Sequence, residues 1–385
     1  MRELLMIPGP IEYESNVLNA MSIPTISHSS KEFLSIYREA LQRVSSIFGS
    51  ETGDNIPFII SGSGTLGMEV STVNFISRDS KVLVVNTGYF GDRFVDLFSR
   101  FTDSIEQIKP SLGEAVDPSL VKEKLDTNEF DLITVTHVDT STGVRNDIKK
   151  IAEFSKSSNT LFVVDGVCSV GGEYLDMKWG IDVAFTASQK ALGAPPGLTV
   201  GVAGSRALTR MGKLKPLTFF SDLRKWETVS RGVLDSKGGY FGTPNVNLIT
   251  ALNVSLSNIM REGLEARIKR HELMSSALRS GIRAMGLEIM AKKSHANTIS
   301  AVYLPDGMDS KKFLGDAKDN GVVFASGLIK EVASRYFRIG HMGGIGPAEV
   351  LITLGAIERA LKAGGYGVKA GTGLTAAQEI LFKSD

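Results

Sequence analysis

The sequence predicts an α/β protein in two parts: a large domain on a mostly parallel seven-stranded sheet, and a smaller C-terminal α+β domain. Between about residues 35 and 205, short apolar runs alternate with amphipathic stretches, a pattern typical of a parallel sheet covered by helices. After about residue 260 this alternation changes. A chain of 385 residues is long enough for two domains. We expect residues 11–260 to form the large domain, residues 261–385 the small one, and residues 1–10 to pack near the functional site.

Apolar and amphipathic runs give the expected elements of both parts. The seven strand candidates of the sheet are residues 57–61, 81–86, 104–108, 132–136, 161–165, 183–186 and 199–203. Helices are predicted between them at 65–76, 91–101, 118–124 and 148–155. Residues 245–285 predict a long helix that breaks or bends near Gly263. Beyond it we expect strands at 287–291, 298–303, 322–325 and 336–339, helices at 310–320 and 347–363, and a flexible link at 364–373 before a terminal helix at 375–383.

Charge and cysteine content exclude several classes of protein. The chain has 43 basic and 42 acidic residues, a net charge of +1, so we expect neither a nucleic acid nor a membrane as partner. The single cysteine, Cys168, cannot form an intrachain disulfide or a Cys-based zinc site, and we expect no metal. The first ten residues hold too short an apolar stretch for a signal peptide, and the last three are not Ser-Lys-Leu. A cytoplasmic enzyme is therefore the default expectation.

Two charged residues follow strands that have a buried composition. Lys190 comes shortly after the strand candidate 183–186, and Asp165 ends the candidate 161–165. Open α/β sheets place their chemistry at the carboxyl ends of strands. A lysine and an aspartate at that edge fit an enzyme of pyridoxal 5′-phosphate (PLP), in which the lysine forms a Schiff base and the carboxylate keeps the pyridine nitrogen protonated. Taken alone, Asp165 also fits a helix cap or a salt bridge, and Lys190 an ordinary surface lysine.

The segment from Ser61 to Gly67 follows a strand and opens a helix. Its backbone N–H groups and hydroxyls suit a phosphate at a helix N-terminus. The residue pattern also matches the dinucleotide-binding motif G-x-G-x-x-G. Such a site needs a carboxylate at the end of the next strand, where this chain has Asn86 and Thr87 instead. Beside Lys190 we interpret the segment as a phosphate cup for PLP, while a purely structural turn stays open.

Three further positions fit the same site. Phe90 lies in a turn between a strand and a helix, where a ring can either stack on the cofactor or plug the junction between helix and sheet. Thr140 follows another strand, and its hydroxyl can bond the phenolic oxygen of the cofactor. Arg338 interrupts an apolar strand, which costs free energy unless the arginine is paired. A substrate carboxylate held by two hydrogen bonds or a structural salt bridge would each pair it.

These segments together resemble the class V aminotransferases of the fold type I PLP-dependent superfamily, with the alanine/serine–glyoxylate (serine–pyruvate) aminotransferase branch nearest. The resemblance spans nearly the whole chain, from residue 8 to the strand of Arg338. Its most specific pieces are residues 62–64, 140–143, 165–167, 188–192 with 195–197, and 338–340. It implies transfer of an amino group from alanine or serine to glyoxylate or pyruvate by a ping-pong mechanism.

The resemblance also implies a role for each matching residue. Lys190 would form the Schiff base and Asp165 would partner the pyridinium nitrogen. Arg338 and Gly9 would bind the substrate. The expected cofactor contacts are Ser63, Gly64, Thr65, Phe90, Thr140, Asp165, Val167, Gln189, Lys190, Tyr240 and Thr243. Of these, Tyr240 and Thr243 match a segment that reaches the phosphate of the neighbouring subunit, which implies a homodimer with shared sites.

Two positions depart from the branch. Its stacking residue is often Trp where this chain has Phe90, and the residue after its Ser-Gly pair is often His where this chain has Thr65. Analogy therefore does not fix the substrate. Transfer from aspartate or aminoethylphosphonate uses the same core, and a second basic residue in the pocket would favour it. Three candidates for that residue cannot be placed from the sequence: Arg93, Arg224 and Arg231.

Other activities fit the residues less well. A cysteine desulfurase needs a cysteine on a mobile loop late in the chain, whereas Cys168 lies just past Asp165, where a small buried thiol is expected. A nucleotide-binding dehydrogenase would lack its ribose carboxylate. A non-catalytic relative would be expected to have lost Lys190 or Asp165, and both are present.

Overall fold

The computed structural model describes residues 3–50, 54–156 and 158–384. Residues 1 and 2 of the predicted N-terminal segment, residues 51–53 and 157 of the predicted large domain, and residue 385 of the predicted small domain lie outside this part. The strands are β1 (Leu4–Leu5), β2 (Ile56–Ser61), β3 (Val82–Val85), β4 (Ile105–Ile108), β5 (Leu132–Thr136), β6 (Leu161–Asp165), β7 (Val183–Ala187), β8 (Leu198–Ala203), β9 (Ile299–Tyr303), β10 (Val322–Val323), β11 (Ala325–Ser326) and β12 (Tyr336–Gly340).

Helices alternate with these strands through the first half of the chain. They are α1 (Ser15–Met21), α2 (Lys31–Ile47), α3 (Gly64–Val73), α4 (Tyr89–Phe98), α5 (Pro118–Thr127), α6 (Ile148–Lys156), α7 (Ser205–Gly212), α8 (Leu223–Leu234), α9 (Val246–Glu262), α10 (Leu264–Ala284), α11 (Ser310–Asp319), α12 (Pro347–Ala363) and α13 (Thr372–Leu381). Short 3-10 turns lie at Met177–Trp179, Ala333–Arg335 and Phe382–Ser384.

The central sheet has seven strands in the order β2-β8-β7-β6-β5-β3-β4. Its pairings are parallel except those of β8, which runs antiparallel to both β2 and β7. All seven predicted strands are present, so the predicted α/β sheet is confirmed. In the register, Thr136 of β5 lies beside Asp165 of β6, and Asp165 lies beside Phe185 of β7. The carboxyl ends of these three strands therefore meet at one edge.

Both faces of the sheet are covered, so its strands are apolar along their whole length rather than alternating with polar residues. Successive residues of one strand enter different cores. Val163 packs into the core beneath α3, α4 and α8, and Val164 packs into the core beneath α2, α6 and α9. Every residue of β3, β5, β6, β7 and β8 is buried. This burial fixes the register that places the edge residues.

The later part of the chain has its own core around a three-stranded sheet in the order β11-β12-β9. The predicted strand at 287–291 is wrong: this segment makes a single antiparallel bridge, between Ile289 and Val302. Met290 N donates to Ala301 O at 2.9 Å, whereas Lys292 N donates to Gly113 O at 2.9 Å. The pairing with β9 therefore does not continue past Met290. The predicted domain boundary near residue 260 stays a prediction.

The predicted break at Gly263 is confirmed, because this residue ends α9 and begins α10. Its φ of 84° is one that residues other than glycine rarely adopt. The predicted glycine-rich link ends earlier than expected, since α13 begins at Thr372. The carboxylate of Glu358 accepts N–H bonds of 2.8 Å from both Gly371 and Gly373, which ties the end of the link to α12.

Across residues 3–50, 54–156 and 158–384, no helix combines the length and apolar character that crossing a membrane requires.

The packing of β8 yields a stability prediction. Gly201 pairs with both Phe58 and Phe185, and a Cβ there would lie 2.5 Å from Phe58 Cζ and 2.6 Å from Ala184 O. We expect Gly201→Ala to lower the free energy of unfolding by roughly 1–3 kcal/mol through overpacking. A Cβ on Gly315, which is exposed within α11, would have nothing within 4 Å. Gly315→Ala should therefore raise the free energy of unfolding by up to about 1 kcal/mol. Denaturant unfolding measures both, and equal midpoints for the two variants would contradict the packing argument.

Candidate functional site

Lys190 and Asp165 lie together at the carboxyl edge of the central sheet. Asp165 is the last residue of β6, and Lys190 lies in the turn that follows β7. Both side chains are buried, with exposed fractions of 2% for Asp165 and 8% for Lys190. An ordinary surface lysine is therefore excluded, because a buried amine needs a partner or a function.

The environment of the Lys190 amine favours its neutral form. Burial lowers its pKa, and the nearby charge of Arg338 lowers it further, while Cys168 and Asp165 act in the opposite sense. A lowered pKa raises the fraction of neutral amine at neutral pH. In this structure Nζ donates a hydrogen bond to the carbonyl of Pro8. The amine is thus held by Pro8 of the N-terminal segment, and the predicted packing of residues 1–10 near the site stays a prediction.

Gly9 lies directly against Lys190. A Cβ on Gly9 would lie 2.8 Å from Lys190 Cδ and 3.0 Å from the carbonyl oxygen of Gln189, and its φ is 100°. Only glycine fits this close approach. The structure places Gly9 beside the lysine stem, and its predicted contact with substrate stays a prediction.

In the part of the chain that the structure describes, no cationic side chain is hydrogen-bonded to the buried Asp165 carboxylate. Its Oδ1 accepts the backbone N–H of Val167 at 2.9 Å. Burial raises the pKa of Asp165 to about 7, and the charge of Asp139 raises it too; the Val167 hydrogen bond, Lys190 and Arg93 oppose this. A cation brought next to this carboxylate would favour its charged form, which is the condition that a protonated ring nitrogen satisfies.

The predicted phosphate cup is the N-terminus of α3. Ser63 is its N-cap, with extended backbone, and its side chain accepts no hydrogen bond from the first turn of the helix. A Cβ on Gly64 would lie 3.1 Å from Val167 Cγ2, which shows that the helix start approaches the Asp165 turn closely. Gln189 Oε1, one residue before Lys190, is buried without a hydrogen-bond partner. These groups retain hydrogen-bonding capacity that a phosphate group would use.

Phe90 lies on the first turn of α4, with its position fixed by a buried carboxylate. Its backbone N–H donates to Asp139 Oδ2 at 3.2 Å. The Phe90 and Tyr89 rings meet edge to face with centroids 5.4 Å apart. The guanidinium of Arg93 lies 5.1 Å from the centroid of each ring and donates to Thr65 Oγ1 at 3.1 Å.

Arg338 lies on β12 with its charge only partly satisfied by the protein. Its Nε donates to Ser326 O at 2.8 Å, and its Nη1 donates to Thr140 O at 3.3 Å, so the structure brings Thr140 to the site. The side chain is 8% exposed, and no carboxylate forms an ion pair with it in the part of the chain that the structure describes. The alternative of a structural salt bridge therefore has no partner there, and a bound anion remains the group that would pair this charge.

Two predicted contacts lie away from this cluster. Tyr240 is 65% exposed, its hydroxyl lies 3.2 Å from Thr243 Oγ1, and its ring packs on His28 with centroids 5.4 Å apart. The structure gives neither residue a contact with Lys190 or Asp165 among the described residues. Their predicted role requires a second subunit and stays a prediction.

Sequence reasoning missed or left unplaced several residues of the site. Asp139 and Pro8 were not assigned, and Arg93 was one of three arginines without a position. Helical spacing holds the signal for Arg93, since it stands one turn after Tyr89 and Phe90 on α4. The other two arginines lie on α8, where Arg224 donates a hydrogen bond to Asp222 and Arg231 donates one to Glu227. Cys168 is buried with a raised pKa, as expected of a small inert thiol.

Comparison with known proteins gives the family. The model of the aminotransferase class-V family matches residues 11–329. Alanine–glyoxylate aminotransferase 1 of Saccharomyces cerevisiae is 40% identical over 357 residues, covering 89% of this chain and 92% of that protein. L-aspartate–glyoxylate aminotransferase of Paracoccus denitrificans is 32% identical over 386 residues, covering 97% and 95%. The crystal structure of pyridoxamine–pyruvate aminotransferase from Mesorhizobium loti matches with a TM-score of 0.94 at 29% identity, covering 100% of this chain and 98% of that one. This protein belongs to the class V aminotransferases and has their fold type I architecture.

Proposed function

We propose that this aminotransferase uses PLP to move the amino group of a small L-amino acid, alanine or serine, to glyoxylate or pyruvate by a ping-pong mechanism. The observation that carries the proposal is the buried Lys190 amine beside the buried Asp165 carboxylate, at the edge that also holds Arg338. The names of similar aminotransferases support glyoxylate or pyruvate as acceptor. The alanine or serine donor rests on the sequence resemblance and on the similar yeast protein.

The residues present fit PLP. Lys190 would hold its aldehyde carbon, Asp165 its ring nitrogen, and the N-terminus of α3 its phosphate, with Gln189 Oε1 as a buried polar atom that lacks a partner. The remaining assigned contacts are Ser63, Gly64, Thr65, Phe90, Val167 and Thr140. When bound, PLP supplies an electrophilic carbon for the amine and a ring that accepts the electron pair of a breaking Cα bond.

The side chains of this protein divide the remaining work. As a base, Lys190 Nζ takes the Cα proton of the substrate, which requires the neutral amine that burial favours; as an acid, it then delivers this proton to the aldehyde carbon of the cofactor. Asp165 would carry negative charge once a protonated ring nitrogen lies beside it, because a neighbouring cation favours the charged form of the carboxylate. Arg338, fixed by two backbone carbonyls, holds the α-carboxylate and so sets which Cα bond faces the lysine.

We propose that the protein is a homodimer and that it works in the cytoplasm. Tyr240 and Thr243 stand exposed beside further exposed aromatic side chains, of which Phe219 is 80% and Phe220 44% exposed. Aromatic residues of this kind are enriched at protein interfaces. In the assembly, Tyr240 and Thr243 would contact the phosphate of the neighbouring site.

A second candidate function is transfer from an amino donor with an anionic group beyond its amino carbon, aspartate or aminoethylphosphonate. Arg93 favours it, because it is the second basic residue at the site that this function requires. Among the described residues its guanidinium bonds two hydroxyl oxygens, Thr65 Oγ1 at 3.1 Å and Tyr89 Oη at 3.2 Å, and it lies over the Phe90 ring. The similar aspartate–glyoxylate enzyme supports the same candidate.

The role of Lys190 is tested with the purified protein and PLP. The wild-type protein should show a visible absorption band that L-alanine or L-serine converts. In Lys190→Ala, conversion should be slower by about 10³-fold or more, because the general base is gone. Stopped-flow absorbance measures the rate, and Lys311→Ala, an exposed lysine on α11, is the control. An unchanged rate in Lys190→Ala, or no visible band in the wild type, would contradict the PLP assignment.

The raised pKa of Asp165 predicts how the stability of the cofactor-free protein depends on pH. The pKa of an unfolded aspartate is ~3.9, and the pKa of folded Asp165 is about 7. Between these values the folded state binds the proton and the unfolded state does not, so this group lowers stability as pH rises towards 7, with no further change above it. Asp165→Asn removes the effect.

We therefore expect the urea midpoint of Asp165→Asn to rise relative to the wild type between pH 5 and pH 7 and to stay level above. Asp126→Asn, an exposed position on α5, should show no such trend. A parallel pH dependence for wild type and Asp165→Asn would refute the raised pKa.

Arg93 separates the two candidate functions. If it binds the side-chain anion of the donor, Arg93→Gln should reduce kcat/KM for L-aspartate by about 10- to 100-fold, the loss of a charged hydrogen bond, while L-alanine changes little. Arg100→Gln, an exposed arginine just beyond α4, is the matched control. Faster turnover of alanine or serine than of aspartate in the wild type supports the first candidate, and the reverse order supports the second.

A further inference from the structure

Arg267 of α10 is a buried arginine that neither the family resemblance nor the proposed mechanism uses. It is 3% exposed, and burial lowers its pKa. Its Nε donates to Gly171 O at 3.0 Å and its Nη2 donates to Ala191 O at 2.8 Å. Its Nη1 pairs with Glu262 Oε2 at 2.9 Å. One guanidinium therefore joins two backbone carbonyls and one carboxylate.

The two carbonyls belong to the two segments that carry the catalytic side chains. We call residues 165–173 the Asp165 arm and residues 187–194 the Lys190 arm. Gly171 lies six residues after Asp165, and Ala191 follows Lys190 directly. The arms touch at this point, since a Cβ on Gly171 would lie 3.2 Å from Ala191 O. Arg267 thus ties the arms together where they meet.

The backbone hydrogen bonds inside each arm close local turns. In the Asp165 arm, Ser169 N and Val170 N both donate to Gly166 O, and in the Lys190 arm Gly193 N donates to Lys190 O. Such turns fix the shape of each arm, and the pairing of β6 with β7 sets the spacing at the strand ends, but neither sets the distance between the arms at Gly171 and Ala191. Two charge-assisted bonds from one rigid, planar group do fix it.

The same stretch of α10 reaches the segment that follows Arg338. His271 Nδ1 lies 2.7 Å from Arg267 O, so it must carry the proton, and Nε2 then accepts the N–H of Gly343 at 3.0 Å. Arg270 Nη2 donates to Gly343 O at 3.1 Å. Gly343 lies three residues past the end of β12. The N-terminal turns of α10 therefore contact chain segments next to all three proposed catalytic and binding groups.

We propose that Arg267 is a positioning residue that holds the Lys190 amine and the Asp165 carboxylate at their working separation without touching the substrate. The functional half of this inference rests on the proposed function; the structural half does not. Losing the guanidinium frees the two arms to move apart, while the Ser326 and Thr140 carbonyls that orient Arg338 stay in place. The chemical step should then suffer and substrate binding should not.

The structural half is tested by hydrogen–deuterium exchange on the cofactor-free protein. In Arg267→Gln we expect backbone amides of both arms to exchange about tenfold faster, because their opening becomes easier. Arg267→Lys, which can reach one carbonyl, should lie between this variant and the wild type. The control is Arg279→Gln: Arg279 lies on the same helix, is 7% exposed and donates to a backbone carbonyl, Ala296 O, that belongs to neither arm.

Unchanged exchange in the arms of both Arg267 variants would overturn the proposal. Equal acceleration in Arg279→Gln would do so as well, since it would show a general loss of stability. If Arg267→Gln does not fold, the comparison of Arg267→Lys with the wild type and the control carries the test.

The functional half is tested by steady-state kinetics of the PLP-loaded enzyme. We expect kcat of Arg267→Gln to fall by tens of fold, up to about 10², as for a small misplacement of reacting groups, with KM within about twofold. A kcat that stays at the wild-type value would overturn the positioning role. A rise in KM at constant kcat would do the same. An inactive wild-type protein would instead refute the proposed function, and the exchange experiment would still decide whether Arg267 joins the arms.

Discussion

The site depends on the parallel register of β5, β6 and β7. This register places Thr136 beside Asp165 and Asp165 beside Phe185, so three strands end together and the turns after them share one edge. Lys190 and Asp165 meet there although the chain runs through a 3-10 turn and a whole strand between them. The register itself follows from burial on both faces, because a slip by one residue would exchange the side chains of the two cores. The positions of the strand ends that carry the site are thus fixed by packing far from any polar group.

Electrostatics at that edge favour binding over stability. Asp165 and Asp139 are both buried carboxylates with raised pKa values, while the pKa values of Lys190 and Arg338 are lowered, all mainly by burial. Each of these shifts means that the charged form is less favoured in the folded protein than in water. A ligand that offers a cation to Asp165 and a carboxylate to Arg338 would relieve these costs. Such groups persist where function requires them, because apolar residues would pack the same volume at lower cost.

The sequence predicted the sheet and the residues at its edge because both leave a local signal. Apolar runs mark the seven strands, and Asp165 and Lys190 stand where such runs stop. The predicted strand at 287–291 failed because its composition suits a strand while its surroundings allow one bridge. Other contacts leave no local pattern. Pro8 and Lys190 are 182 positions apart, and Arg338 and Thr140 are 198 apart. Arg267 joins the two arms from a helix that lies 96 and 76 positions further along the chain. Only tertiary packing brings these groups together.

The two arginines of the site differ in a way that bears on substrate choice. Arg338 is buried on a strand and held by two backbone carbonyls, which cannot rotate away. Arg93 is half-buried on a helix and held by the hydroxyls of Thr65 and Tyr89, which can turn. A rigid guanidinium suits a group that alanine, serine and aspartate all carry, the α-carboxylate, because its geometry does not change between these donors. An adaptable guanidinium suits the part that varies between them, the side chain. Discrimination among these amino acids is therefore expected at the α4 side of the site, while the β12 side sets the orientation that they share.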